Sequence, residues 1–343
     1  MAVEVSSGPG AEPRLPDVAR PATVAHVRIT VVGAGISGLT SAVALLRAGH
    51  RVRVLAAEPS AATTSALAAA VWFPTFVGPP DRVLRWGAET FRVLAAQAAA
   101  GVPGVAMRES LALYREQPGH PDWARAVGGV RPAAADELPP GYPHGLRFAV
   151  PLVEMPVHLP WLVALATELG AEFVRRRVRS LAEAAETAGG ADAVVHCAGL
   201  AARELAADPS VHPVRGRIVR VVNPGLTLSV RDEHHPGGRA YVHPRSADCI
   251  LGGTLEPGEW DTAPDPTAGA AIVQRCCDLV PALRGAAVLE QVVGLRPGRP
   301  TVRLEEDGPL PTGARLVHNY GHGGAGITLS WGCADEVAAL LAR

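Results

Sequence analysis

Val31-Val32-Gly33-Ala34-Gly35-Ile36-Ser37-Gly38 decides the fold of this chain. The residues before it, 26–32, are a β-branched apolar run, the pattern of a strand buried in a parallel sheet. Those after it, 39–48, continue with helical spacing until Gly49 closes the helix, and alternation over 51–55 predicts a second strand. Glycines at 33, 35 and 38 inside a strand–turn–helix–strand unit form a dinucleotide-binding signal; without that context they would not. Gly33 permits the tight turn, Gly35 lets a pyrophosphate approach the backbone, and Gly38 lets helix and strand pack closely. The carboxylate that grips a ribose hydroxyl in such units belongs at the end of the second strand, where Ala56 and Ala57 stand. Glu58 comes one or two residues late, and serves either the ribose or the solvent.

Outward from the fingerprint, Thr63-Thr64-Ser65 offers hydroxyls that either cap the next helix or bind phosphate oxygens. Residues 80–100 read as a helix, whereas 101–150, with Pro118, Pro121, Pro132, Pro139, Pro140 and Pro143, read as a meander of short strands and loops. A helix over 159–169 and strands over 172–178 and 191–197 follow, the last ending in Ala198-Gly199, where bulk would block a ligand. The β pattern returns at 216–222, 240–244 and 249–253, and 268–283 is helical. In the last helix, 326–342, Ile327, Trp331, Ala334, Ala338 and Leu341 form one apolar stripe. Dinucleotide elements thus occur at both ends and in the middle. The expected architecture is α/β (α+β overall): a Rossmann-like cofactor domain, discontinuous over 26–75, 150–212 and 294–343, with an inserted, mainly antiparallel β substrate domain over 76–149 and 213–293. Residues 1–25 read as a disordered tail.

Composition excludes several classes. With 343 residues, 48% hydrophobic and 19% charged, the chain is of the soluble globular kind. A net charge of −1 gives no electrostatic case for nucleic acid or an anionic membrane. The longest uncharged run, 29–46, is broken by the fingerprint's glycines, serines and threonine, so no membrane helix is expected. Neither a signal peptide nor a C-terminal targeting tripeptide is read, and the expected location is cytoplasmic. Cysteines 197, 249, 276, 277 and 333, without a C-x-x-C, read as buried free thiols. The cluster Arg175-Arg176-Arg177 with Arg179 reads as a solvated strand edge or turn.

Two late segments carry the chemistry. Gly294-Leu295-Arg296-Pro297-Gly298 sets an arginine in a stiffened turn, and His318-Asn319-Tyr320-Gly321-His322-Gly323-Gly324-Ala325-Gly326 is a glycine-rich loop that opens a helix. An arginine fork suits a carboxylate, and a glycine-rich helix start suits a flavin edge or a phosphate. Together they point to a flavoenzyme acting on an amino or imino acid. Arg296 has a plainer reading as a salt-bridge partner, but Arg299 and Arg303, near Glu305 and Glu306, fit that role better. His318 and His322 lack a third ligand at suitable spacing, so no metal is expected.

With Tyr241-Val242-His243-Pro244-Arg245, Val195-His196-Cys197-Ala198-Gly199, Pro213-Val214-Arg215-Gly216-Arg217 and Leu251-Gly252-Gly253-Thr254 added, these motifs resemble, in order from about residue 27 onward, the D-amino-acid oxidase family, which includes the D-aspartate oxidases. The resemblance implies non-covalent FAD and oxidative deamination of D-amino acids by hydride transfer to flavin N5. The products would be a 2-oxo acid, ammonia and hydrogen peroxide, with molecular oxygen as acceptor. It also implies that Arg296 and Tyr241 hold the substrate α-carboxylate and that the Gly324 carbonyl accepts from the amine. FAD contacts would come from Gly33, Ala34, Gly35, Ile36, Ser37, Gly38, Glu58, Thr63, Thr64, Ser65, Val71, Val178, Ala198, Gly323, Gly326, Ile327 and Thr328.

The chain also departs from the pattern. The lid tyrosine of several eukaryotic members is absent from His234-His235-Pro236-Gly237-Gly238-Arg239-Ala240. Phe73, Thr75 and His243 would line the side-chain pocket and favour neutral substrates. Arg231 stands where D-aspartate oxidases carry an arginine, but a second such position holds Leu255; Arg217 and Arg245 are further candidates for the pocket. Neutral D-amino acids are the expected substrates, with D-aspartate or D-glutamate as the alternative. A glycine/sarcosine-type oxidase and a catalytically silent flavin-binding protein are the remaining ones. A homodimer is an ordinary expectation.

Overall fold

The computed structural model describes residues 26–74, 77–187 and 189–343; the expected tail over 1–25, and Thr75, lie outside them. Two sheets form among the described residues. The first has six strands in the order Arg303–Asp307, Arg315–Tyr320, Ala193–His196, Arg28–Val32, Arg51–Ala56, Glu172–Arg175. Its pairings are parallel except the first, which is antiparallel. Val31 and Val195, neighbours in register at its centre, are fully buried, as the apolar runs require.

The fingerprint helix, Ile36–Arg47, and the last helix, Gly326–Leu341, run against each other beside this sheet, where the Thr40 hydroxyl donates to the Ser330 carbonyl at 3.2 Å. A long helix, Pro80–Ala99, covers the last one from the other side. A Cβ on Gly332 would overlap the Trp86 backbone, and the Gly332 N–H donates to Thr90 Oγ1 at 3.0 Å. The last helix is therefore not merely striped. Thr328, Leu329, Ser330, Gly332, Cys333 and Val337 are buried together with Ile327, Trp331, Ala334 and Leu341, because the helix is enclosed on several sides.

The second sheet has nine strands, and antiparallel pairing dominates. Its one parallel pair joins Val105–Tyr114 to Ser229–Asp232. Residues 101–150 differ from the expected meander. Val105–Tyr114 and His144–Val153 are ten-residue strands paired along their whole length. The six prolines that argued against long strands all fall between these two, so they shape the connection and leave the ladder intact. His212–Val222 pairs on one side with Asp248–Gly252 and on the other with Val288–Gly298, the strand that carries Arg296. All five cysteines are free and buried.

Candidate active site

The fingerprint turn, the loop of residues 62–71, the Arg296 strand and the loop before the last helix enclose a cavity of about 880 Å³. That size suits a large cofactor together with a small substrate. Its wall includes Ala34, Gly35, Ile36 and Ser37 of the fingerprint and also Arg296, Tyr241 and Arg231.

The cofactor end is built from backbone. The N-cap of the fingerprint helix is Gly35, which has no side chain to cap it, and no acidic residue occupies the first turn. Ser65 Oγ accepts from the Ile36 N–H at 3.0 Å, so this hydroxyl caps the fingerprint helix and not the next one. The last helix likewise opens on the cavity with Gly326 and Ile327, without a capping side chain or an acidic first turn. Two positive helix ends without an acidic residue in their first turns suit a pyrophosphate and the electron-rich edge of a reduced flavin. His322 in the same wall is buried, with its Nε2 lacking a hydrogen-bond partner among the described residues and its pKa pushed down to about 4 by burial.

The fingerprint glycines divide between packing and access. Gly33 has φ +117°, and a Cβ there would come within 2.5 Å of the Cys197 carbonyl oxygen. A Cβ on Gly38 would overlap the Gly33 carbonyl, whereas one on Gly35 would meet only Ser65 Oγ, at 3.1 Å. Gly35 is thus the glycine kept small for a ligand, and a flavin dinucleotide fits this wall.

Most of the other residues expected at the cofactor line the same cavity: Glu58, Thr63, Thr64, Val71, Val178, Ala198 and Gly323. Glu58 pairs with Arg175 at 3.0 Å and is half exposed. Thr64 Oγ1 donates to the Leu295 carbonyl at 3.1 Å, which ties this loop to the Arg296 strand. Thr328 is not in the cavity wall. Its hydroxyl accepts from the Phe73 N–H and donates to the Phe73 carbonyl, both at 3.2 Å, and so fixes Phe73 from below. Arg176, Arg177 and Arg179, read as a solvated edge, also line the cavity, although Arg176 is engaged by Glu183 at 2.8 Å.

At the substrate end, glycines make room for two polar groups. A Cβ on Gly216 would overlap the Arg296 guanidinium, and one on Gly324 would lie 3.3 Å from Arg296 Cδ. A Cβ on Gly252 would overlap the Tyr241 ring, and one on Gly253 would lie 2.7 Å from its hydroxyl. Arg296 donates to the Thr254 carbonyl at 3.2 Å and has no carboxylate partner among the described residues. The salt bridges go to its neighbours: Arg299 to Asp208 at 2.9 Å and Arg303 to Glu305 at 2.7 Å, while Glu306 pairs with Arg315. Burial raises the Tyr241 pKa, opposed by Arg296, so the phenol stays a proton donor.

Register decides which arginines reach the pocket. Tyr241 pairs with Arg231 across the sheet, which puts both on the cavity face. Arg217 instead donates to the Ala263 carbonyl at 2.9 Å, and Arg245 pairs with Asp248 at 2.5 Å. His243 stacks on Tyr241, with ring centroids 4.8 Å apart. Burial, aided by Arg231, drives its pKa well down, so the ring is neutral.

A family model described as FAD dependent oxidoreductase matches residues 28–340. The chain belongs to that family. It is 54% identical over 314 residues to a protein named D-amino-acid oxidase from Rubrobacter xylanophilus, covering 91% of this chain and 95% of that protein. It is 44% identical over 315 residues to one of the same name from Streptomyces coelicolor, covering 91% and 96%. A human protein named D-aspartate oxidase is 37% identical over 329 residues, covering 92% and 95%. Glycine oxidase from Geobacillus kaustophilus shares the fold, with a TM-score of 0.74 at 22% identity over 92% of this chain and 95% of that one. The cofactor of this oxidoreductase is FAD. No helix among the described residues is long and apolar enough to cross a membrane.

Reasoning from sequence missed Glu233 and Arg239, which line the substrate end of this oxidoreductase. Glu233 stands two residues beyond Arg231, and Arg239 is hidden in the segment noted only for lacking the lid tyrosine. Asp208 was missed as well. It accepts from Arg299 and from the Tyr320 hydroxyl, both at 2.9 Å, and pins the end of the Arg296 strand. Burial raises the Asp208 pKa, but its bonds to Ser210, Arg299 and Tyr320 outweigh that and hold it below the usual carboxylate range. Its contribution is therefore present above about pH 4 and fades as pH falls further. Asp208→Asn is expected to cost about 1–3 kcal/mol at pH 7, with the difference from wild type shrinking toward pH 2–3 in denaturant melts. A constant difference across that window would refute the assignment.

Proposed function

We propose that this FAD-dependent oxidoreductase oxidises D-amino acids, preferentially neutral ones, to the 2-oxo acid, ammonia and hydrogen peroxide. The observation that carries the reading is Arg296: a guanidinium in the cavity wall, over Gly216 and beside Gly324, with no acidic partner among the described residues. Such a fork is complementary to an α-carboxylate. The Tyr241 hydroxyl donates to the same carboxylate, and the Gly324 carbonyl accepts from the amine. These contacts fix two substituents of the α-carbon, the carboxylate and the amine, and the side-chain pocket takes the third, so the hydrogen points in one direction. Positioning is then the main catalytic device, and no side-chain base is required once the amine is neutral. Bound in this cavity, FAD would supply the two-electron acceptor for the substrate and the route of those electrons to oxygen.

The unit built on the six-stranded sheet would hold FAD, and the nine-stranded sheet would hold the substrate. Glu58 is within the cavity wall and is assigned to the ribose in this reading. Phe73 and Val71 supply apolar surface for the side chain, and Glu233 offsets part of the charge of Arg231. Arg231 itself is the observation that favours the alternative, an acidic side chain. A cytoplasmic setting and a twofold dimer complete the proposal.

The test is an anaerobic titration of the flavin-loaded protein with D-alanine, D-valine and D-aspartate, each against its L-enantiomer, following absorbance at roughly 450 nm. Bleaching by D-forms alone, with D-valine ahead of D-aspartate, is expected. No bleaching by any of them would refute the reading. Tyr241→Phe is expected to raise KM about 10-fold or more, the cost of one hydrogen bond to a charged group, with a smaller effect on kcat. Unchanged KM in steady-state assays would remove Tyr241 from the carboxylate site.

A further inference from the structure

The side-chain end of the cavity holds three charges that the carboxylate anchor does not use. Arg231 lies 3.9 Å over the Phe73 ring, Glu233 Oε1 is 3.9 Å from Arg231, and Glu233 Oε2 is 3.4 Å from Arg239. All three residues line the cavity. Arg231 is steadied further by His243, whose Nε2 is 3.5 Å away and whose Nδ1 is 2.5 Å from Ser229 Oγ. Glu233 is held more loosely. Both of its ion contacts are long, and Oε2 is buried without a hydrogen-bond partner among the described residues. The short, charge-assisted hydrogen bonds that fix a carboxylate firmly are absent from Glu233 among the described residues.

We propose that Glu233 is a specificity-determining residue, an internal carboxylate that stands between Arg231 and Arg239 and excludes acidic D-amino acids. This rests on the D-amino-acid oxidase reading above. With Glu233 in place, the three groups carry a formal charge of +1, since two arginines face one glutamate. A substrate with a distal carboxylate must share the arginines with Glu233 at close range or displace it. A neutral side chain meets neither obstacle. Selection against the wrong charge is a general way to gain specificity without improving contacts to the right substrate. Removing the glutamate charge leaves Arg231 without a carboxylate partner among the described residues, free to receive the distal carboxylate of a substrate.

D-aspartate and D-asparagine isolate the effect, because they differ little in shape and by one charge. Their kcat/KM values would be measured on flavin-loaded wild type, Glu233→Gln and Glu233→Asp, with flavin content confirming the holoenzyme. The D-aspartate to D-asparagine ratio is expected to rise about tenfold or more in Glu233→Gln, the scale of a charge contact of a few ångströms in a pocket screened from water. It is expected to stay near the wild-type value in Glu233→Asp, and the gain is expected to vanish in the Arg231→Met, Glu233→Gln double variant. Glu233→Ser carries the same comparison if the glutamine variant yields no holoenzyme. An unchanged ratio in the charge-removed variant, or an equal rise in Glu233→Asp, would overturn the proposal while D-valine oxidation by wild type leaves the underlying reading intact. Wild type that oxidises no D-amino acid would instead overturn that underlying reading.

Discussion

Arg296→Leu is expected to lower kcat/KM for D-amino acids by roughly 10²–10³-fold while flavin remains bound. Losing one member of a buried charge pair costs about 2–5 kcal/mol, and each 1.4 kcal/mol is about tenfold. The loss falls on substrate because Arg296 has no carboxylate partner among the described residues and gives only one bond, to the Thr254 carbonyl. Leucine keeps much of the apolar stem and removes the fork. Lysine is expected to restore only part of the activity, since a point charge cannot present two parallel N–H donors. Steady-state kinetics and the flavin spectrum of each variant check this. Near-normal kcat/KM in flavin-loaded Arg296→Leu would mean that the substrate carboxylate binds elsewhere.

Gly38→Ala is expected to abolish holoenzyme. A Cβ at that position would overlap the Gly33 carbonyl, in a turn already held by the Gly33 N–H donating to the Leu55 carbonyl at 2.8 Å. Both groups are backbone, so relief requires the fingerprint helix to move off the sheet. Overpacking of this kind costs about 1–3 kcal/mol and occasionally more, and here it also displaces the helix end that faces the cofactor. Gly35→Ala is the contrasting case. Its Cβ would meet a serine hydroxyl that can turn away, so the fold should survive while the space beside the backbone is lost to the ligand. The expected pattern is therefore a lowered Tm and no flavin for Gly38→Ala, against a near-normal apo Tm and weakened flavin binding for Gly35→Ala. Thermal melts and flavin titration separate the two. Equal behaviour of both variants would contradict this division of roles.

The fingerprint unit was legible because each of its signals is local. β-branched runs, glycines at fixed spacing and a helix with its closing glycine need no knowledge of distant residues. Residues 101–150 were misjudged for a related reason. Prolines are a strong local signal, and they obscured two long strands whose stability comes from pairing with each other. The last helix was read as striped because periodicity reports one apolar face. Its full enclosure depends on a helix more than two hundred residues earlier in the chain, which the Gly332 N–H reaches through Thr90.

The sequence by itself determined the cofactor fold, the presence of an arginine suited to a carboxylate, and the family, because motifs and their order survive in one dimension. Only the tertiary structure decided which arginines share the pocket. Arg217, Arg231, Arg239 and Arg245 look alike as letters, and strand register turns Arg231 toward the cavity while Ala263 and Asp248 take up the other strand arginines. Arg239 and Glu233 reach the same end from the turn that follows. Side chains alternate faces along a strand, so pairing partners set by the whole sheet fix which charge meets the substrate.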